Sequence, residues 1–102
     1  MEKVIAGKSV DVDTNGYLTD LSQWNKDIAI EIAKEEGVEL TDKHFEVLTY
    51  LQDQHKKDVA LSIRSIGKSG VVDIKQFYEL FPKGPLKISS KMAGIPKPKS
   101  CI

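Results

Sequence analysis

The stretch Leu80-Phe81-Pro82-Lys83-Gly84-Pro85-Leu86-Lys87-Ile88-Ser89-Ser90-Lys91-Met92-Ala93-Gly94-Ile95-Pro96-Lys97-Pro98-Lys99-Ser100-Cys101-Ile102 carries the strongest local signals in the chain. Pro82 closes whatever precedes it, because its ring clashes with the turn behind and it brings no backbone donor. After Gly84, Pro85 suits the first turn of a helix, where its missing N–H would have had no partner anyway. Leu86, Ile88 and Met92 give that helix apolar positions, and Gly94 tolerates the left-handed backbone in which helices commonly stop. Beyond Gly94, Pro96 and Pro98 push their predecessors toward extended geometry. The expectation is a fifth helix from Pro85 to Gly94, then a flexible arm over residues 95–102. From Pro96 to Ile102 that arm spans at most about 23 Å at about 3.3 Å per residue. Its penultimate residue is Cys101.

Upstream, the spacing predicts four more helices. Asp73 is placed to cap a fourth that carries Ile74, Phe77 and Tyr78. Ser69-Gly70 separates it from a third over roughly Val59 to Gly67, with Val59, Ile63 and Ile66 inward. Thr41 is a good N-cap for a second helix running to Lys57, with Asp42 at its positive end and Phe45, Val47, Leu48, Tyr50 and Leu51 toward the core. Trp24, Ile28, Ala29 and Ile32 fall on one helical face, so a first helix of about 14 residues is expected from Ser22, capped by Asp20 or Ser22 and stopped by Gly37. Residues 3–20 alternate loosely through Val4, Ile5, Val10 and Val12. There Asp13-Thr14-Asn15-Gly16 holds an Asn-Gly pair of the kind favoured in tight hairpins, so a small β-hairpin or three short strands are expected. The fold class is therefore mainly α with a small N-terminal β-hairpin (α+β): one domain over residues 1–94, followed by the arm.

A chain of 102 residues has room for one compact core, which excludes a large multi-domain enzyme. Fifteen Lys and Arg balance fifteen Asp and Glu, and the pI is near 6.7, so no global field exists to hold a polyanion. Lys83, Lys87, Lys91, Lys97 and Lys99 make the last quarter basic, which suits an acidic protein groove better than direct nucleic-acid binding. No apolar run approaches the roughly 20 residues that cross a bilayer, and the first eight residues lack a secretory apolar segment, so a cytoplasmic address and no membrane partner are expected.

One cysteine makes no internal disulfide, and with two His it is too little for a structural zinc site. Cys101 is nevertheless the sharpest feature, since cysteine is usually among the most buried residue types and here it sits on a chain tip. Lys97 and Lys99 favour the thiolate while the terminal carboxylate opposes it. A reactive thiol and an incidental surface cysteine both fit these facts. Arg64 and Lys68 are four apart, hence on one helical face, able to hold an anionic group or simply to face solvent. His44, near a helix start, reads as structural more than as a proton carrier, and His55 more so. Trp24 reads as core or as a partner contact. Gly67-Lys68-Ser69 ends like a phosphate-binding loop, but the first glycine of that motif would fall at position 62, which is Ser62.

Three blocks together resemble the DsrC/TusE family of sulfur-relay proteins. They are the stretch Leu80 to Lys87, the stretch Met92 to Pro98, and the penultimate Cys101. Trp24, the run Thr41-Asp42-Lys43-His44-Phe45-Glu46-Val47-Leu48, and Arg64 with Lys68 also look like the family's pattern, so the likeness covers nearly the whole chain. The resemblance implies an orthogonal helical bundle with an N-terminal hairpin and a flexible C-terminal arm. It also implies a persulfide on Cys101, with Arg64, Lys68, Lys97 and Lys99 supporting it or meeting partners, and no metal or organic cofactor.

Members that work with dissimilatory sulfite reductase resemble one another in carrying a second cysteine eleven residues before the last; here that position is Ser90. A serine oxygen cannot hold sulfur, so single-cysteine transfer of the TusE type fits better. The resemblance then implies a TusBCD-like donor complex and a tRNA-thiolating acceptor, with the chain serving as a protein substrate of sulfurtransferases more than as an independent enzyme. Lys99-Ser100 stands where a Thr-Gly pair is usual. That departure keeps open a single-cysteine DsrC-like paralogue in another sulfur pathway, and the alternative reading is a DsrC-like accessory or regulatory protein that docks on a sulfite reductase.

Overall fold

The computed structural model describes residues 1–59 and 61–96. Strands β1 (Glu2–Ile5) and β2 (Lys8–Asp11) pair antiparallel, with Ile5 opposite Lys8 and Glu2 opposite Asp11. Five helices follow: α1 (Lys26–Glu36), α2 (Asp42–Lys56), α3 (Ile63–Gly67), α4 (Ile74–Leu80) and α5 (Pro85–Ala93). This is the mainly helical α+β class expected. No helix among the described residues is long and apolar enough to cross a membrane.

The hairpin turns elsewhere than expected. Ala6 and Gly7, both at positive φ, form the two-residue loop, as a tight turn matched to strand twist requires. Asn15-Gly16 instead belongs to a side-chain turn in which the Asp13 carboxylate accepts from the N–H groups of Asn15 and Tyr17, closing an isolated bridge between Val12 and Leu18. The register places Ile5 and Val10 inward, while Val4 points to solvent at 70% exposure.

Helix α1 begins four residues later than the periodicity suggests. Asp20 caps a short 3-10 turn over Leu21–Gln23, accepting from the Ser22 N–H at 2.9 Å, and this bond holds its carboxyl below the usual range. Trp24 is extended, and Asn25 is the true N-cap, accepting from the Ile28 N–H at 2.9 Å. The indole therefore shares the helical spacing of Ile28 and Ile32 without being in their helix.

Helices α1, α2 and α5 stop in the same way. A left-handed residue turns its N–H, together with that of its successor, back onto the last carbonyls: Gly37 with Val38, Asp58 with Val59, and Gly94 with Ile95. Only the second site lacks glycine. Val59 is thereby committed to closing α2, through its N–H to Gln54 O at 2.9 Å, and is exposed rather than inward on α3. Helix α3 is correspondingly short, capped by Ser62, whose side chain accepts from the Ser65 N–H. On α4, capped by Asp73 as expected, only Phe77 is buried; Ile74 and Tyr78 stay exposed.

Helix α5 is the axis of the core. Leu86, Ile88, Ser89, Ser90, Met92 and Ala93 are all buried, and the helix packs against α1, α2 and α4. Around it lie Ile28, Ala29, Ile32 and Ala33 of α1 and Val47, Leu48 and Leu51 of α2. His44 fastens the other side. Its Nδ1 accepts from the Thr41 N–H at 3.1 Å and its Nε2–H donates to Leu80 O at 2.9 Å, while the ring meets Phe81 edge-on at 5.1 Å. One imidazole thus completes the cap of α2 and satisfies the end of α4. His44→Phe, which keeps the ring contact and removes both hydrogen bonds, is expected to lower stability by about 1–3 kcal/mol in urea denaturation.

Candidate functional site

At the point where the chain leaves α5, the base of the arm expected from the sequence, four carbonyls need partners. A helix end leaves its last four C=O groups without partners inside the helix, and buried ones must find partners elsewhere. At the end of α5, the Ile95 N–H reaches Ser90 O at 3.2 Å and the Gly94 N–H reaches Lys91 O at 3.3 Å. The two carbonyls that remain are taken by side chains from other helices or their flanks: the Trp24 indole N–H donates to Met92 O at 2.7 Å, and the Gln52 amide of α2 donates to Ala93 O at 2.8 Å. All four are satisfied. Ile95, at 1% exposure, then drives its side chain into the core, and Pro96 returns to solvent.

Gly94 is required there twice over. Its φ of 74° is one that a side chain disfavours, and a Cβ would lie 2.7 Å from the Trp24 ring. Beside the indole opens a groove of about 730 Å³, lined by Phe45, Thr49, Tyr50, Gln52 and Val71 among others. Lys26 stands over the Phe45 ring at 5.5 Å, and the Lys43 ammonium donates to Val71 O, tying α2 to the loop before α4.

The residues expected to carry function divide into three groups. Cys101, Lys97 and Lys99 lie outside the described residues. Arg64 and Lys68 sit exposed at α3 and its C-cap; among the described residues neither side chain has an ion-pair partner, and neither lines the groove. Trp24 is half-buried and positions the arm's base, His44 is structural, and His55 is exposed in the last turn of α2. Gln52 was not singled out by sequence reasoning; at the head of the polar run Gln52-Asp53-Gln54-His55-Lys56-Lys57 nothing marks it as the residue that caps a helix 41 residues away.

Ser90 is fully buried, and its hydroxyl has no hydrogen-bond partner among the described residues. The cost of that burial is released when the hydroxyl is removed, so Ser90→Ala is expected to raise stability by about 1 kcal/mol in urea denaturation. Gly94→Ala is expected to cost about 1–3 kcal/mol and to shift Trp24 emission, because the indole must move to admit the methyl group. An unchanged unfolding midpoint with unchanged emission would show that the arm's base is not clamped.

A model for the family described as "DsrC like protein" matches residues 4–102. The sulfurtransferase TusE of Escherichia coli strain K12 is 36% identical over 107 residues, covering 97% of this chain and 98% of that protein. Among solved structures, the crystal structure of dissimilatory sulfite reductase I contains a chain that superposes with a TM-score of 0.86 at 33% identity, each chain covered in full. The solution structure of Allochromatium vinosum DsrC superposes with a TM-score of 0.83, also at 33% identity and full coverage of both chains. Sequence likeness over the whole length and agreement of the folds lead to one conclusion: this chain belongs to the DsrC-like protein family.

Proposed function

We propose that this protein is a sulfur-relay carrier whose Cys101 accepts sulfane sulfur as a persulfide and passes it on. The observation that carries this reading is the clamped base of the arm. With four carbonyls satisfied and Ile95 buried, the chain leaves the core at one defined point, and its only thiol lies five residues beyond Pro96. Extended backbone over that distance reaches at most about 17 Å. A thiol on such a tether can enter a partner's active site while the folded body supplies the docking surface. In the transfer, the Cys101 thiolate attacks the outer sulfur of a donor persulfide. The new sulfur–sulfur bond forms as the donor's own breaks, the donor leaves as thiolate, and Cys101 holds the persulfide with no net oxidation. The reverse logic delivers sulfur to the acceptor.

Ser90 supports single-cysteine transfer, because its buried oxygen can neither hold nor resolve sulfur. With the TusE relatives, this favours a multi-subunit sulfurtransferase as donor and an enzyme forming 2-thiouridine in tRNA as acceptor. The likeness to a chain of dissimilatory sulfite reductase I favours a second reading, an accessory protein docking on a sulfite reductase through the shape of its arm.

Intact-protein mass spectrometry after incubation with cysteine, a cysteine desulfurase and a persulfide-forming donor tests the carrier chemistry. A gain of about 32 Da, reversed by reductant and absent from Cys101→Ser, is expected. A gain that persists in Cys101→Ser, or none in the wild type with any donor, overturns the carrier reading.

A further inference from the structure

A second cleft lies apart from the groove beside Trp24, between α5 and the turn that holds Gly16. Lys83, Lys87 and Lys91 come to one side of it and Asn15, Tyr17 and Glu36 to the other, around about 290 Å³. Lys91 is engaged: its ammonium lies 3.4 Å from the Glu36 carboxylate, and its end packs where a Cβ on residue 16 would be. Lys83 and Lys87 are exposed, and among the described residues neither has a carboxylate within ion-pair distance. Beneath them the backbone is held, since the buried Tyr17 hydroxyl donates to Lys87 O at 3.1 Å. Three ammonium groups against one carboxylate leave a concentrated positive excess in a chain whose net charge is zero.

We propose that this cleft docks a carboxylate-rich segment of the protein that exchanges sulfur with this chain; naming that partner rests on the carrier reading. The charge pattern selects the occupant. A continuous phosphate backbone laid along the cleft meets the Glu36 carboxylate on its wall, and the absence of net charge removes the long-range attraction that polyanion binding uses. Discrete carboxylates pair with Lys83 and Lys87 while avoiding Glu36. Position supports the same reading. Lys87 precedes Gly94 by seven residues, about 10 Å along the helix at about 1.5 Å per residue, so a segment seated here lies beside the point where the arm leaves the core.

The test is a titration of the isotope-labelled full chain, followed by backbone amide shifts, with a hexaglutamate peptide and, in parallel, hexauridylate and inorganic phosphate. Expected are hexaglutamate shifts concentrated at residues 15–17 and 83–91. Affinity should weaken about tenfold in Lys83→Glu/Lys87→Glu and stay unchanged in Lys57→Glu/Lys75→Glu, which makes the same charge change elsewhere. Should charge reversal disturb the spectrum of the free protein, Lys83→Gln/Lys87→Gln replaces it, with a smaller loss expected in the same direction. Shifts spread over every lysine, equal weakening in both variants, or hexauridylate or phosphate binding the cleft as tightly as hexaglutamate would each overturn the proposal. No sulfur transfer is read, so failure here is separate from failure of the carrier chemistry.

Discussion

The hydrogen bond from the Trp24 indole to Met92 O governs the architecture around the end of α5. A helix that ends inside a protein exposes carbonyls to an apolar surrounding, and each one left without a donor costs on the order of 1–3 kcal/mol. Here the cost is removed by two residues distant in sequence, Trp24 and Gln52, together with the backbone N–H groups of the left-handed Gly94 and of Ile95. The same arrangement brings the segment before α1 against α5, holds α2 to the end of α5, and excludes a side chain from position 94. Removing the indole donor would reach three elements at once.

A second fastening of the same kind holds the other half of the molecule. His44 satisfies the start of α2 through Thr41 and the end of α4 through Leu80 O, with one ring nitrogen accepting and the other donating. Both fastenings use an aromatic ring with a polar edge, so a single side chain contributes apolar packing and closes a backbone end. The result is a core whose polar termini are satisfied across elements, giving α5 a fixed position from which the chain continues.

That fixed position suits the proposed transfer of sulfur through Cys101. The described residues hold no cysteine, and neither imidazole lies in an arrangement suited to proton transfer: one is committed to backbone bonds and the other faces solvent. What the body offers is shape and charge. An aromatic groove lies beside Trp24, a lysine cleft lies along α5, and the exposed cations Arg64 and Lys68 stand on α3 and at its C-cap. In the proposed carrier role, these surfaces would select the partners, and the partners would supply the activated sulfur and the reaction it enters.

Local chemistry in the sequence was enough to place α2, α4 and α5, because Thr41, Asp73 and the pair Gly84-Pro85 act within one turn of where they stand. The same holds for the stops at Gly37 and Gly94, where the absence of a side chain permits a left-handed residue. The sequence also determined that the chain has one thiol, next to last, and a serine eleven residues before it. Tertiary structure decided the rest. Asp58 takes the left-handed role usually given to glycine, so Val59 closes α2 instead of opening α3. Trp24 matches the helical period of α1 yet lies outside it, because its ring is needed on Met92 O. The partnership of Gln52 with Ala93 O spans 41 residues, and the approach of Lys91 to Glu36 in the lysine cleft spans 55. Periodicity reports which residues share a face, but a carbonyl or an ammonium acquires its partner only when distant segments are packed together.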